Sequence, residues 1–302
     1  MSKSSTKPAH SIRIDNYQEF RDDVRRFAEG KYNALIVLGN TGLSKSETIK
    51  EMVQHYLIYE GGNPTAFQFY CDLHNHIDDF VILDDVSSRF FKDHLTNSYL
   101  KQLTNTREVK SLRWPTSTLS EFTDPPNHFE TRSRVVILTN EWESLNEHIR
   151  ALEGRAYSIV FDPTPTEVHL EVGRRGWFKD QEVFNFVWNY RRLITKPDMR
   201  LYVKIAEQKR AGAPWRKRGL EMLIGDERMQ RVAELLEDPN ITSNKQRAVE
   251  FEKRGYGGRT TYYECLKFFR HYGAAKADQS PPPNLDSLRI GLHGEHQEAE
   301  RL

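Results

Sequence analysis

Cysteine is almost absent: 302 residues hold two, Cys71 and Cys265. They stand far apart and show no metal-ligand spacing. That excludes a disulfide framework or a cysteine-rich zinc module and leaves two reduced thiols of a cytosolic protein. Long apolar runs are missing too. No stretch approaches the roughly 18 apolar residues of a membrane-spanning helix, so a cytoplasmic chain with no membrane partner is expected. The opening MSKSSTKPAHS has no apolar h-region and is not a secretory signal, and residues 1–14 are expected to form a disordered tail. Charge of one sign is not in excess either, with 44 Lys and Arg against 43 Asp and Glu. Only a local patch can therefore speak for nucleic acid. No internal repeat is apparent. A chain of this length is expected to form one large domain and one or two small ones.

What is present centres on residues 34–46, ALIVLGNTGLSKS. Five apolar residues run into a glycine-containing turn, then Lys45-Ser46, then a helical pattern. Strand, loop, Lys-Ser and helix in that order present backbone N–H groups and a helix N-terminus to a triphosphate. Against the pattern G-x-x-x-x-G-K-[ST], the loop residues are Gly39, Asn40, Thr41, Gly42, Leu43, Ser44, Lys45 and Ser46. Gly39, Lys45 and Ser46 match, whereas Ser44 replaces the second glycine. That glycine lets the backbone lie close to phosphate, so Ser44 either adopts the same geometry at a cost or leaves a weaker loop.

An amphipathic helix is expected over residues 15–30, capped by Asp15 or Asn16, with Tyr17, Phe20, Val24 and Phe27 as its stripe. A helix is predicted over 45–59 and a short strand over 66–70. Residues 80–85, FVILDD, read as a buried parallel strand tipped by two carboxylates, where an open α/β sheet binds ligand. In a nucleoside triphosphatase Asp84 would hold Mg²⁺ beside Ser46, and Asp85 would polarise the attacking water. Further helices are expected around 94–104 and 144–154, and buried strands over 134–140, ending on Asn140, and over 157–161. A β-ribbon or loop is expected over 111–119. His74, His76, Asp78 and Asp79 supply no closed ligand set and read as loop polarity.

These motifs together resemble the AAA+ branch of P-loop ATPases, over about residues 15–212. The resemblance rests on GNTGLSKS, FVILDD, VVILTN and LNEHIRALEGRAYSIVFDPTP. It implies a P-loop NTPase three-layer parallel sheet over 15–165 and a helical lid over 166–215. ATP and Mg²⁺ are the implied ligands, and a homo-oligomer the implied assembly. It makes Asn140 a sensor of the γ-phosphate and places Arg155 at the arginine-finger position, reaching a neighbouring subunit, with Arg150 as a lesser choice. Arg200, in the first turn of a helix starting at Pro197-Asp198, falls where a second sensor would fold the lid down. Arg132 and Arg134 precede the sensor strand and are candidates for a subunit interface or a DNA-lining pore.

Beyond the lid, residues 220–237 read as one helix. Residues 243–273 read as helix, Gly turn and helix, a helix-turn-helix-like module over 220–273. Its second helix opens on Arg259, Thr260, Thr261, Tyr262 and Tyr263, and Lys245 adds charge on the first. Lys245, Arg259, Thr260, Thr261 and Tyr262 are the candidate DNA contacts. Residues 274–302 read as a second disordered tail. The expected function is ATP hydrolysis coupled to DNA-associated work: replication, transposition or mobile-element maintenance. An ATP-gated switch or loader with little turnover is the first alternative. A P-loop small-molecule kinase is the second.

Overall fold

The computed structural model describes residues 10–115, 120–121, 123–140, 152, 154–273 and 283–288. The chain divides into two compact units, Met1–Asp162 and Pro163–Leu302.

The first unit is built on six parallel strands: β1 (Ile12–Ile14), β2 (Ala34–Leu38), β3 (Tyr56–Glu60), β4 (Phe80–Asp84), β7 (Val135–Thr139) and β8 (Tyr157–Phe161). Between β4 and β7 the chain forms a separate antiparallel ribbon, β5 (Lys110–Arg113) with β6 (His128–Thr131). The large sheet has the order β1-β8-β2-β7-β4-β3. The chain thus leaves β2 for the far edge, works back through β4 to β7, and ends beyond β2 at β8. That reversal opens a crevice at the carboxyl end of β2, where α/β sheets take ligand. Strands β2 and β7 are buried along their whole length, hence their unbroken apolar sequence.

Helix α1 (Tyr17–Ala28) lies on the sheet face that Phe161 occupies, with Phe20 stacked on Phe161 at 4.4 Å between ring centroids. Asn16 caps it by accepting from the Glu19 amide at 2.8 Å, and the expected stripe is wholly buried. The other face holds one apolar core. Ala34, Ile36 and Leu38 meet Phe69, Tyr70 and Leu73 of α3 (Ala66–Asn75) and Leu100 and Leu103 of α5 (His94–Leu103) there. Helix α4 (Ser88–Lys92) precedes α5.

Three sequence expectations fail in this unit. The helix predicted over 45–59 stops as α2 (Lys45–Met52), because Val53 turns extended and Tyr56–Glu60 pairs with all of β4. The strand predicted over 66–70 is the start of α3, whose N-cap Thr65 accepts from the Gln68 amide at 3.1 Å. Part of the supposed N-terminal tail is strand β1, paired with β8. Residues 141–151 and 153 lie outside the described residues, and with them most of the helix expected over 144–154, including Arg150.

The second unit is helical: α6 (Pro165–Arg174), α7 (Gln181–Tyr190), α8 (Arg200–Arg210), α9 (Trp215–Leu223), α10 (Glu227–Glu237), α11 (Asn244–Lys253) and α12 (Arg259–Gly273). The single helix expected over 220–237 is two, broken at Ile224-Gly225, with Asp226 capping α10 through the Met229 amide at 2.9 Å. His169 is fully buried against Phe184, and its Nδ1 lies 2.9 Å from Tyr202 Oη. Burial, aided by the Arg191 charge, pulls its pKa down to about 3, so it stays a neutral packing group. Within the supposed C-terminal tail, Leu285 is buried and its amide donates to Gln181 Oε1 at 3.0 Å.

In α12, Tyr262 is 0% exposed and Tyr263 42% exposed. Tyr262→Ala is therefore expected to lower stability by about 3–5 kcal/mol, and Tyr263→Ala by no more than about 0.5 kcal/mol. Urea midpoints of the two variants check this.

Candidate functional site

The carboxyl ends of β2, β4 and β7 lie side by side, and the loop after β2 closes over them. Gly39 is needed there for space rather than for an unusual φ. A Cβ on it would stand 2.5 Å from the carbonyl oxygen of Phe161, closer than real Cβ contacts. Its amide donates to the Thr139 carbonyl at 3.1 Å, so the loop starts pinned between β7 and β8. Gly42 has φ +71°, a left-handed turn that favours glycine. Leu43 is buried, and its carbonyl accepts from Tyr17 Oη at 3.0 Å. Helix α1 thereby holds the loop from beneath, a link the sequence reading did not foresee.

Ser44 adopts the left-handed conformation, φ 55° and ψ 31°, and caps α2 without a side-chain hydrogen bond to it. Its carbonyl accepts from the Thr48 amide at 3.0 Å and from Thr48 Oγ1 at 2.9 Å. Serine therefore occupies the backbone geometry that glycine would take freely, at a cost of about 1–2 kcal/mol.

Lys45 is buried, yet its ammonium is well supplied. Nζ donates to the carbonyls of Gly39 (2.6 Å) and Asn40 (2.7 Å) and to Asn140 Oδ1 (3.0 Å). The Asn140 Nδ2 donates in turn to Asp85 Oδ2. Only one amide orientation satisfies an ammonium on one side and a carboxylate on the other, so Asn140 is fixed between Lys45 and Asp85. Alongside, Ser46 Oγ donates to Asp84 Oδ2. Burial pushes the Asp84 carboxyl above the ordinary carboxylate range, and the Asp85 charge adds to it. The Ser46 hydroxyl and Lys45 pull the other way. Asp85 itself is exposed and has φ +50°.

The structure thus brings Lys45, Ser46, Asp84, Asp85 and Asn140 into one cluster. Arg155 is not in it. It stands before β8, whose five residues separate it by about 16 Å along the sheet from the loop end. Its Nη1 donates to the Lys101 carbonyl at 2.9 Å on the surface. Arg200 lies in the first turn of α8 in the second unit, exposed, its amide held by Asp198 Oδ1 at 2.8 Å. Arg134, a candidate for an interface or pore, is turned inward instead. Its Nη1 donates to the carbonyls of Phe27 (3.1 Å) and Ala28 (3.0 Å) at the end of α1. Arg132 is exposed, 3.6 Å from both Asp78 and Glu108. His76 pairs with Asp79 at 2.9 Å, and no group of three or more His, Cys, Asp or Glu placed to hold a metal ion occurs among the described residues.

The candidate DNA contacts fare unevenly. Tyr262 is a correction: its ring packs on Phe251 in the core and its hydroxyl donates to Asn244 Oδ1 at 3.3 Å, so it does not face a ligand. Lys245 and Thr260 are exposed and Thr261 is half-buried. Arg259 is exposed but tied to Glu252 at 2.6 Å. Helices α11 and α12 do form the expected pair. A full capping box at Ser243 and Gln246 starts α11, and Gly255 at φ +75° leads the turn between them.

No protein-family model matches the chain, and no curated protein matches it. Two solved structures are similar in outline. One is a DNA replication initiation factor, 10% identical over 90% of this chain and 91% of that one, with TM-score 0.38. The other is C. elegans PCH-2, 10% identical over 83% of this chain and 67% of that one, with TM-score 0.30. A likeness at this level says nothing of what this chain binds or does. No helix among the described residues is long and apolar enough to cross a membrane.

Two outcomes test the site without any ligand. Gly39→Ala is expected to destabilise the chain by about 1–3 kcal/mol through the clash with the Phe161 carbonyl, whereas Ser44→Gly stabilises it by about 1 kcal/mol; thermal and urea unfolding read both. Asp84→Asn is expected to raise the urea midpoint at neutral pH. A carboxyl whose folded pKa is raised binds protons more readily when folded, so its ionisation costs stability as pH rises through that pKa. The gain must therefore shrink as pH falls into the carboxylate range, and a pH-independent gain would contradict this reading.

Proposed function

We propose that the cluster binds Mg-ATP and hydrolyses it, in an ATPase of the AAA+ type working on DNA. One observation carries the reading: a single amide, Asn140, joins the loop lysine to the strand-end carboxylate. That arrangement couples a phosphate-binding cation to a base for water. On binding, Lys45 would exchange the Gly39 and Asn40 carbonyls for phosphate oxygens, and the α2 N-terminal amides would face the same charge. The hydroxyl of Ser46 and the carboxylate of Asp84 form a hard oxygen pair that suits Mg²⁺. The ion, when held there, neutralises charge on the β- and γ-phosphates. Asp85, exposed and hydrogen-bonded by Asn140, would accept the proton of the attacking water. Asn140 would keep both partners in register and report whether the lysine has moved.

Arg155 serves as the finger only in trans, which its place at the far end of β8 supports, and so a homo-oligomer is part of this proposal. Arg200 is proposed as the second sensor, carried on the helical unit. DNA would meet the α11–α12 pair through Lys245, Thr260 and Thr261. The strained Ser44 favours a second reading, an ATP-gated switch with little turnover, because a loop that resists its bound form slows each cycle.

Phosphate release from Mg-ATP, measured over a range of protein concentrations with and without DNA, separates these readings. Lys45→Ala is expected to fall to background. Asp85→Asn should keep ATP binding by calorimetry while losing about 10²–10⁴ in turnover. Arg155→Ala should lose about 10³–10⁵ and remove the rise of specific activity with protein concentration. ATP binding without multiple turnovers in the wild type would sink the hydrolytic reading and leave the switch.

A further inference from the structure

The near-neutral total charge hides a local imbalance. Between residues 174 and 218 there are 13 Lys and Arg against 4 Asp and Glu, while the rest of the chain has 31 against 39. Part of this excess is consumed inside the second unit. Arg175 pairs with Glu171 at 2.8 Å, Lys209 with Asp180 at 2.8 Å and Arg216 with Glu182 at 2.9 Å, and Arg191 lies 3.4 Å over the Trp188 ring. Arg174, Lys179, Lys204 and Arg210 are different. No carboxylate of the described residues lies within 4.0 Å of them.

An exposed indole, Trp177, stands between two of these cations, Arg174 and Lys179, in the sequence. Residues 176–180 carry no helix or strand, and their side chains alternate. Phe178 turns inward and meets Tyr202 of α8 edge-on, 5.6 Å between centroids. Asp180 also turns inward, to Lys209 of α8. The segment therefore runs along α8, and Trp177 and Lys179 face solvent, Trp177 being 42% exposed. The exposed side chains of α8 add Val203, Lys204 and Arg210, against one carboxylate, Glu207.

We propose that this strip binds single-stranded nucleic acid, with Trp177 stacking on an unpaired base and Arg174, Lys179, Lys204 and Arg210 taking the flanking phosphates. The cations supply the polyanion attraction, and a flat aromatic in a basic track is what distinguishes single strands from duplex, whose bases are already stacked. An anionic membrane is the lesser fit, since interfacial binding needs a broad apolar face and this strip offers one indole and one valine. The strip shares no residue with the proposed ATP cluster or with the α11–α12 pair, so it stands or falls without them.

The test is fluorescence anisotropy of the full chain with labelled oligo-dT and with a hairpin duplex of equal length, without nucleotide, over a range of salt. Trp177→Ala is expected to weaken oligo-dT binding by about 5- to 150-fold, the range that 1–3 kcal/mol per stacked base gives, and to change duplex binding little. Trp177→Phe should recover most of the loss. Lys179→Ala with Lys204→Ala should flatten the logarithmic salt dependence by about 0.7 for each cation removed. Lys92→Ala, which removes an exposed cation of the first unit, should leave oligo-dT binding intact. Equal binding of oligo-dT by wild type and Trp177→Ala, with unchanged melting temperatures, would overturn the proposal. So would equal losses on oligo-dT and duplex, or binding confined to phosphatidylserine vesicles.

Discussion

The site depends on the insertion of one strand. Strand β7 lies between β2 and β4, so whatever residue ends it stands between whatever ends the other two. Parallel registry fixes the level as well, with Leu38 opposite Thr139 and Asp84 opposite Leu138. Asn140 therefore emerges one residue beyond the level of Leu38 and two beyond that of Asp84, and its short amide spans from Lys45 to Asp85. A carboxylate there would repel Asp85, and a lysine would repel Lys45. Only a neutral side chain that both donates and accepts satisfies the two sides at once.

Around that bridge the backbone holds two strained residues. Ser44 and Asp85 both have left-handed φ without being glycine, one on the loop and one beyond β4. Such strain persists only where neighbours over-determine it. Here the neighbours are identifiable: Thr48 on the Ser44 carbonyl, the Leu138 carbonyl on the Asp85 amide at 3.2 Å, and Tyr17 beneath Leu43. The buried Asp84 carboxyl adds an electrostatic cost of the same kind. A scaffold selected for stability alone would have glycine at 44 and an uncharged group at 84, so these departures concentrate where chemistry would need them.

The strands that carry the site were legible because burial on both faces leaves a plain signature: unbroken apolar runs with polar tips, as in residues 34–38, 80–85 and 135–140. The segment between them was not. Residues 49, 52, 53, 56 and 57 follow a helical period, yet β-branched Val53 and Ile58 with Tyr56 and Tyr59 favour an extended chain, and five paired residues with β4 decide the matter. Residues 66–70 are too short for periodicity to separate helix from strand. The better signal was Thr65 with Gln68 three positions on, a capping pattern that the structure uses. Tyr262 shows a further limit. Its side of α12 is set by packing on Phe251, and an aromatic at the head of a helix looks the same in sequence whether it faces a ligand or the core.

Charge was the least legible property, because it was summed over too long a window. Sequence reading sought the hidden basic excess in the last two helices. Residues 243–273 do carry seven cations against three carboxylates, but Arg254 and Arg259 are drawn to Glu250 and Glu252 at 2.7 and 2.6 Å. The larger imbalance lies earlier, on residues 174–218, where carboxylates are too few to pair every cation. Electrostatic reach follows net local charge rather than the number of basic residues, since a paired arginine presents little field to solvent. On that criterion residues 174–218 carry the stronger positive charge. The α11–α12 pair, whose sequence pattern is the more familiar, is the better neutralised of the two.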